Sequence, residues 1–344
     1  MIDKEKFDQM ALRRIAMDGS GVAADLAKIF DLSRQAVGSH LARLERLGLI
    51  EADGATRARV WRLKEIDRGV RSFEREGLSE DVVWRSVCAP IVANLPGNVR
   101  DIWRYGITEM VNNAIDHSGS KVVDVGIARN AVYTQGWVVD HGEGIFLKIQ
   151  RALGLFDQRE SILELAKGKF TTDPANHTGE GIFFSSKLFD KFDIRSGNLH
   201  FMHDGDFEDV LYEWPKDAPG TFVLMDLAND SSRTEQEVYE RFAPADEFTF
   251  AKTIVPVKLA QYEGEKLVSR SQAKRLTMRF ERFRTVILDF DGVAEIGQAF
   301  ADEVFRVFQA AHPGTELIPV SMTDPVDRMI RRVTAAEKAG APND

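Results

Sequence analysis

The chain has 344 residues, 44% hydrophobic and 29% charged, with a net charge of −9; that is enough for two or three domains with cores of their own. A single cysteine, Cys88, excludes an internal disulfide and a multi-cysteine zinc site, and its apolar surroundings predict a small core residue. The charged start Met-Ile-Asp-Lys-Glu-Lys lacks an apolar signal core and no apolar run nears the ~20 residues of a membrane span, so the expectation is a soluble cytoplasmic protein with no membrane partner.

The first 65 residues carry 12 Lys and Arg against 10 Asp and Glu, leaving the remainder strongly acidic. Apolar spacing predicts a helix over 4–17 through Phe7, Leu12 and Ile15, and a short second helix over 21–30. Ser33 is placed to cap a third helix running to Leu47, with Val37, Leu41 and Leu44 inward and Gly48 as its stop. Residues 49–63 read as a hairpin with Asp53-Gly54 at its tip. Three helices and a two-stranded wing resemble a bacterial winged helix-turn-helix over 1–66. That resemblance implies DNA as a partner, with the third helix in the major groove. Arg34, Gln35 and Ser39 would then face bases or phosphates, and Arg43, Arg57 and Arg59 the backbone. A module for protein contacts or dimerisation is the other reading of the same pattern.

Residues 67–80 are rich in charge and poor in motifs, and are expected to link this head to the next domain; 78–94 read as a helix closed by Pro96-Gly97-Asn98. Next, Ile107, Met110, Val111, Ala114 and Ile115 recur at helical spacing. Residues three and four apart share a helix face, so Glu109, Asn113 and Asp116 form one polar row. Carboxylate and carboxamide oxygens one turn apart suit a water and a magnesium ion, although alone the row is equally a solvated face. Downstream, Val138-Val139-Asp140 is a strand entering an Asp-x-Gly-x-Gly turn with Gly142 and Gly144. His177-Thr178-Gly179-Glu180-Gly181 is a glycine-rich loop opening an apolar helix, a geometry that favours phosphate. Pro219-Gly220-Thr221 reads as a turn before an apolar strand. There is no Gly-x-x-x-x-Gly-Lys-[Ser/Thr] P-loop.

These four boxes in this order resemble the GHKL ATPases, and most of all the anti-sigma-factor serine kinases among them. The resemblance implies an ATPase domain over 67–235, an α/β sandwich of a mixed sheet covered by helices on one face, with ATP and Mg2+ as cofactors. It makes Glu109 the residue that polarises the attacking water or hydroxyl, and Asn113 the magnesium ligand. Asp140 would accept a hydrogen bond from the adenine amino group, with Gly142 and Gly144 giving room beside the base. Gly179 and Gly181 would belong to a lid over the phosphates, and Thr221 would support the adenine contact. Asp116 and His117 fall in the same motif region. Lys167 and Lys169, within the expected lid at 153–173, are in reach of phosphate or simply solvated.

In the last third, 284–290 read as a buried strand, 296–308 as an amphipathic helix, 315–322 as a strand and 324–338 as a helix, which implies a right-handed parallel unit. With Ser269–Ala273 ahead of it, the stretch resembles a small α/β STAS-like domain over 236–344, a possible surface for a protein partner. Members that receive phosphate carry a serine where this chain has Ile296-Gly297-Gln298-Ala299-Phe300; Asp289 and Asp291 beside the turn are expected to cap it. The expected whole is a multidomain α+β homodimer in which ATP binding and hydrolysis, through lid closure or dimer state, control a DNA-binding head. The alternative is a serine/threonine kinase acting on a separate protein.

Overall fold

The computed structural model describes residues 3–54, 59–170, 179–205, 210–243, 250–261 and 265–340. The chain is mixed α+β and divides into two compact units. The first comprises 1–141, 189–193 and 222–233; the second comprises 142–188, 194–221 and 234–344.

The first unit begins with three helices, α1 (Lys4–Met17), α2 (Val22–Phe30) and α3 (Arg34–Arg46). Asp3 caps α1 by accepting from the Glu5 and Lys6 N–H groups, and Ser33 caps α3 by accepting from Ala36 N–H. The antiparallel strands β1 (Ile50–Asp53) and β2 (Val60–Leu63) follow, with Asp53 opposite Val60. Phe7, Ala11, Ile15, Leu26, Val37, Leu41, Leu44, Ile50 and Trp61 close over one buried core. The strand backbone comes so near the α1–α2 turn that a Cβ on Gly19 would overlap the Trp61 carbonyl. Of the expected hairpin, residues 55–58, Arg57 among them, lie outside the described residues.

The stretch expected to be a linker is instead an edge strand, β3 (Asp67–Glu74). It pairs antiparallel with β4 (Val122–Arg129), from Asp67 opposite Arg129 to Glu74 opposite Val122. Only Phe73 is buried along it; an edge strand with one face in water shows little hydrophobic alternation, and its pairing partner lies far along the chain.

A helical run over 80–92, α4, contains a π-helical turn at Trp84–Cys88. Cys88 is fully buried there, and burial pushes its thiol up to about 12, so it is an inert core residue. Helix α5 (Gly97–His117) starts directly after Pro96 and buries Ile102, Trp103, Ile107, Met110, Val111 and Ala114. Pro96-Gly97-Asn98 therefore opens this helix as well as closing the one before.

Strand β5 (Tyr133–Asp140) pairs antiparallel with β4. With β6 (Lys191–Asp204) and β7 (Val210–Ala228) they form a five-stranded sheet in the order β3-β4-β5-β7-β6. Two glycines let α5 lie close on this sheet. A Cβ at Gly136 would stand 2.4 Å from the Trp103 ring, and one at Gly106 2.4 Å from the Phe189 ring. The expected turn at Pro219-Gly220 is not a chain reversal, since β7 runs through it with Gly220 at φ +79°.

The second unit contains α6 (Ile145–Leu153), α7 (Arg159–Lys167), α8 (Gly181–Leu188) and α9 (Glu235–Phe242). Its sheet has three parallel strands in the order β10-β9-β8: β8 (Lys252–Pro256), β9 (Thr285–Asp289) and β10 (Glu316–Val320). Between them come α10 (Arg270–Thr277) and α11, which spans 298–311 and contains a π-helical turn at Glu303–Phe308; α12 (Asp324–Gly340) ends the unit. The expected strands and helices of the last third are all present, and β8 is an addition to them. No helix among the described residues is long and apolar enough to cross a membrane.

Candidate functional site

Helix α5 presents Glu109 and Asn113 one turn apart, both half-buried, on the side away from the buried Ile107, Met110, Val111 and Ala114. Among the described residues, Asn113 Nδ2 is buried and has no hydrogen-bond partner. A buried amide left unpaired costs about 1–3 kcal/mol. Turning the carboxamide over puts an oxygen, a ligand atom for Mg2+, at the same point. Among the described residues no group of three His, Cys, Asp or Glu could hold a metal ion. The donor set therefore suits magnesium only as an ion carried largely by phosphate oxygens and water, with Asn113 as the protein ligand.

Asp140, 6% exposed, ends β5. The next residue, His141, is fixed by two contacts. Its backbone N–H donates to Ser120 Oγ at 3.1 Å, and its Nε2 lies 2.8 Å from Asp124 Oδ2. Ser72 on β3 donates its hydroxyl to the other oxygen of Asp124. Burial works against the Asp124 carboxylate, but the hydrogen bonds from Ser72 and His141 outweigh it and hold its pKa below the ordinary value. Ser72, Asp124 and His141 thus brace the chain just after Asp140, and sequence reasoning passed over all three. Ser72 lies in the stretch read as a linker, and nothing local marks its pairing with β4.

In the second unit, Gly144 adopts φ +92° and ψ 136°, a conformation closed to other residues. A Cβ there would stand 2.5 Å from Ser196 Oγ and 3.1 Å from the Gly220 carbonyl. Ser196 donates to that carbonyl at 2.9 Å, and Thr221 Oγ1 accepts from Ile145 N–H at 3.0 Å. Gly144 and Thr221, 77 positions apart by their numbers, are thereby brought together, with Ser196 as a member that no sequence signal announced. Gly142 precedes this turn. Gly179 sits at φ +74°, and its carbonyl accepts from Phe170 N–H at 3.1 Å. Gly181 is the first residue of α8, while His177 and Thr178 lie outside the described residues.

Both lysines of the expected lid are engaged by protein groups, Lys167 out of reach of solvent and Lys169 while still half-exposed. Lys167 is fully buried and paired with Glu164, and Lys169 donates to the Arg282 carbonyl at 3.2 Å. Burial lowers the Lys167 pKa, and the Glu164 carboxylate opposes that.

On the N-terminal helices, Arg34, Gln35 and Ser39 are exposed along one face of α3. Ser39 Oγ donates back to the Gln35 carbonyl at 3.1 Å. Arg43 is half-buried in an ion pair with Asp8 on α1. Arg59 is exposed, its guanidinium 5.4 Å from the Trp61 ring centroid.

In the C-terminal region, Ser269 caps α10 in a reciprocal capping box with Gln272. Gly297 caps α11. Asp289 accepts from Asp291 N–H at 3.1 Å, the capping role expected of it.

A family model described as a STAS-like domain of unknown function (DUF4325) matches residues 272–327. That span holds most of α10, then β9, α11, β10 and the start of α12, so this part of the chain is a STAS-like domain. No curated protein matches the chain.

Proposed function

We propose that residues 67–235 bind and hydrolyse ATP in the manner of GHKL ATPases, and that nucleotide state controls DNA binding by a winged helix over 1–66. The observation that carries the ATPase reading is the buried, unpaired amide of Asn113, one turn after Glu109 on a helix drawn tightly to its sheet. A buried polar atom without a partner among the described residues is accounted for where a ligand, ion or water supplies one.

In this reading Asp140 accepts a hydrogen bond from the adenine amino group, and Thr221 has the adenine-supporting role that the resemblance gives it. The Ser72–Asp124–His141 brace keeps the chain after Asp140 in place. Magnesium, when bound, neutralises charge on the phosphates, and Asn113 is its protein ligand. Glu109 orients the attacking water, a task that needs hydrogen-bond reach more than a perturbed pKa. At the head, the exposed Arg34, Gln35 and Ser39 of α3 read a major groove. Arg43 is engaged by Asp8 and serves there as a strut between helices.

The STAS-like domain favours a second reading, a serine/threonine kinase of the anti-sigma-factor type. Phosphate would then pass to another protein, because 296–300 hold no hydroxyl and Ser269 is committed to capping. Incubation with γ-labelled ATP and magnesium, scoring free phosphate and protein-bound label separately, with and without host-cell extract, tests both. Free phosphate without labelled protein supports the ATPase, and a labelled protein band supports the kinase. Neither product, with no nucleotide bound, would overturn both.

A further inference from the structure

Helix α7 and the residues just after it carry charge where water does not reach. Lys167 is 0%, Glu164 1% and Arg279 7% exposed. Lys167 Nζ donates to Glu164 Oε1 at 2.5 Å and to the carbonyls of Arg275 and Met278 at 3.2 and 2.9 Å. Arg279 Nη1 donates to the other oxygen of Glu164 at 2.8 Å, and its Nη2 to the carbonyls of Gly168 and Lys169. Thr253 on β8 donates to the Lys167 carbonyl at 2.8 Å, and Arg275 reaches Glu160 at 3.4 Å. Arg275, Met278 and Arg279 all lie within the span matched as STAS-like.

Arg279 itself holds a left-handed backbone conformation, φ +65°, which a non-glycine residue keeps only when its surroundings impose it. An apolar interface tolerates small slides. A buried cluster of directional, charge-assisted bonds has one register, and losing one partner strands the others. On the far side of Gly179, Phe183 of α8 packs against Phe242 and Phe250 with ring centroids 4.9 and 4.6 Å apart, so α8 too is built into this unit.

We infer that Glu164, Lys167 and Arg279 are positioning residues of a clamp by which the STAS-like domain holds segment 159–170, so that a shift of this segment is passed to residues 275–282. The consequence rests on the ATPase reading, in which 159–170 lie in the nucleotide lid: nucleotide state would then be read out at the STAS-like domain.

Hydrogen–deuterium exchange on the full chain tests the clamp without nucleotide. Arg279→Met is expected to speed exchange across 159–170 by at least about tenfold while 97–117 stay as in the parent. Should that variant fail to fold, Thr253→Val, which removes one hydrogen bond, is expected to speed exchange at 165–169 alone. Parent-like exchange over 159–170 in the folded variants overturns the clamp. With a non-hydrolysable ATP analogue and magnesium, the parent is expected to gain protection at 159–170 and at 275–282 together, and the second gain is expected to vanish in Arg279→Met or, where that fails to fold, to shrink in Thr253→Val. Protection confined to 159–170 in the parent overturns the transmission. An analogue that changes exchange nowhere counts against the ATPase reading, while the nucleotide-free comparison still decides the clamp.

Discussion

Asp226 on β7 offers the sharpest quantitative test of the first unit's interior. Its carboxyl is raised from 3.8 to about 6, chiefly by burial, although Gln135 donates to it at 2.8 Å and Lys191 attracts it. Asp193 and Asp190 push in the same direction as burial. Between pH 3.8 and about 6 the folded chain keeps a proton that the unfolded chain releases. Stability from this group is therefore complete below the lower value, falls as pH rises, and is lost above the upper one. At about 1.4 kcal/mol per pH unit, the native state forgoes roughly 3 kcal/mol at neutral pH, an upper figure for a group with residual solvent contact. Asp226→Asn keeps an acceptor for Gln135 and removes the charge. The variant is expected to be more stable by about 1–3 kcal/mol at pH 7.5, a rise of about 2–4 °C in Tm per kcal/mol, with the gain shrinking towards zero near pH 4. Thermal melts of both proteins across that range measure it. An equal effect at pH 4 and pH 7.5, or a loss of stability at pH 7.5, would refute the reasoning.

Three further outcomes bear on the proposed site and head. Asn113→Ala is expected to abolish magnesium-dependent ATP binding, whereas Glu109→Ala keeps binding and loses turnover; normal hydrolysis by Glu109→Ala, followed by phosphate release, removes Glu109 from the chemistry. Gly144→Ala must relieve a contact of 2.5 Å with Ser196 Oγ at a left-handed φ, so a loss of about 1–3 kcal/mol in stability is expected, together with weaker nucleotide binding by calorimetry. Double replacement of Arg34 and Gln35 by Ala is expected to weaken specific DNA binding, with the salt slope reduced by about 1 for the lost cation; mobility shifts unchanged across several salt concentrations would mean that α3 is not the reader.

Much of the chain follows from local physics. The apolar spacing of Phe7, Leu12 and Ile15, the Ser33 cap and the Gly48 stop put α1 and α3 within a residue or two of their ends. The row holding Glu109 and Asn113, the strand end at Asp140 and the glycine that opens α8 are likewise where the pattern placed them. Such features depend on neighbours three or four positions away, or on backbone conformations few residues adopt. The likeness of the last third to STAS domains was also legible, because a buried strand–helix–strand–helix order leaves few packings.

Other features depend on partners distant in the chain. Strand β3 exists because β4, 48 to 62 positions on, supplies its hydrogen bonds, and its solvent-facing side chains hide the strand. Ser72 and Asp124 become a brace for His141, and Ser196 a neighbour of Gly144, only once the strands pair. Lys167 shows the limit most plainly. As text it is a lysine beside a glycine in a lid, suited to phosphate or to water. In the fold it is enclosed, and Glu164 with two carbonyls from 275–278 takes its three donors. Whether a charge meets solvent or a partner is set by what packs over it, and contacts more than 100 residues away leave no trace in the spacing around it.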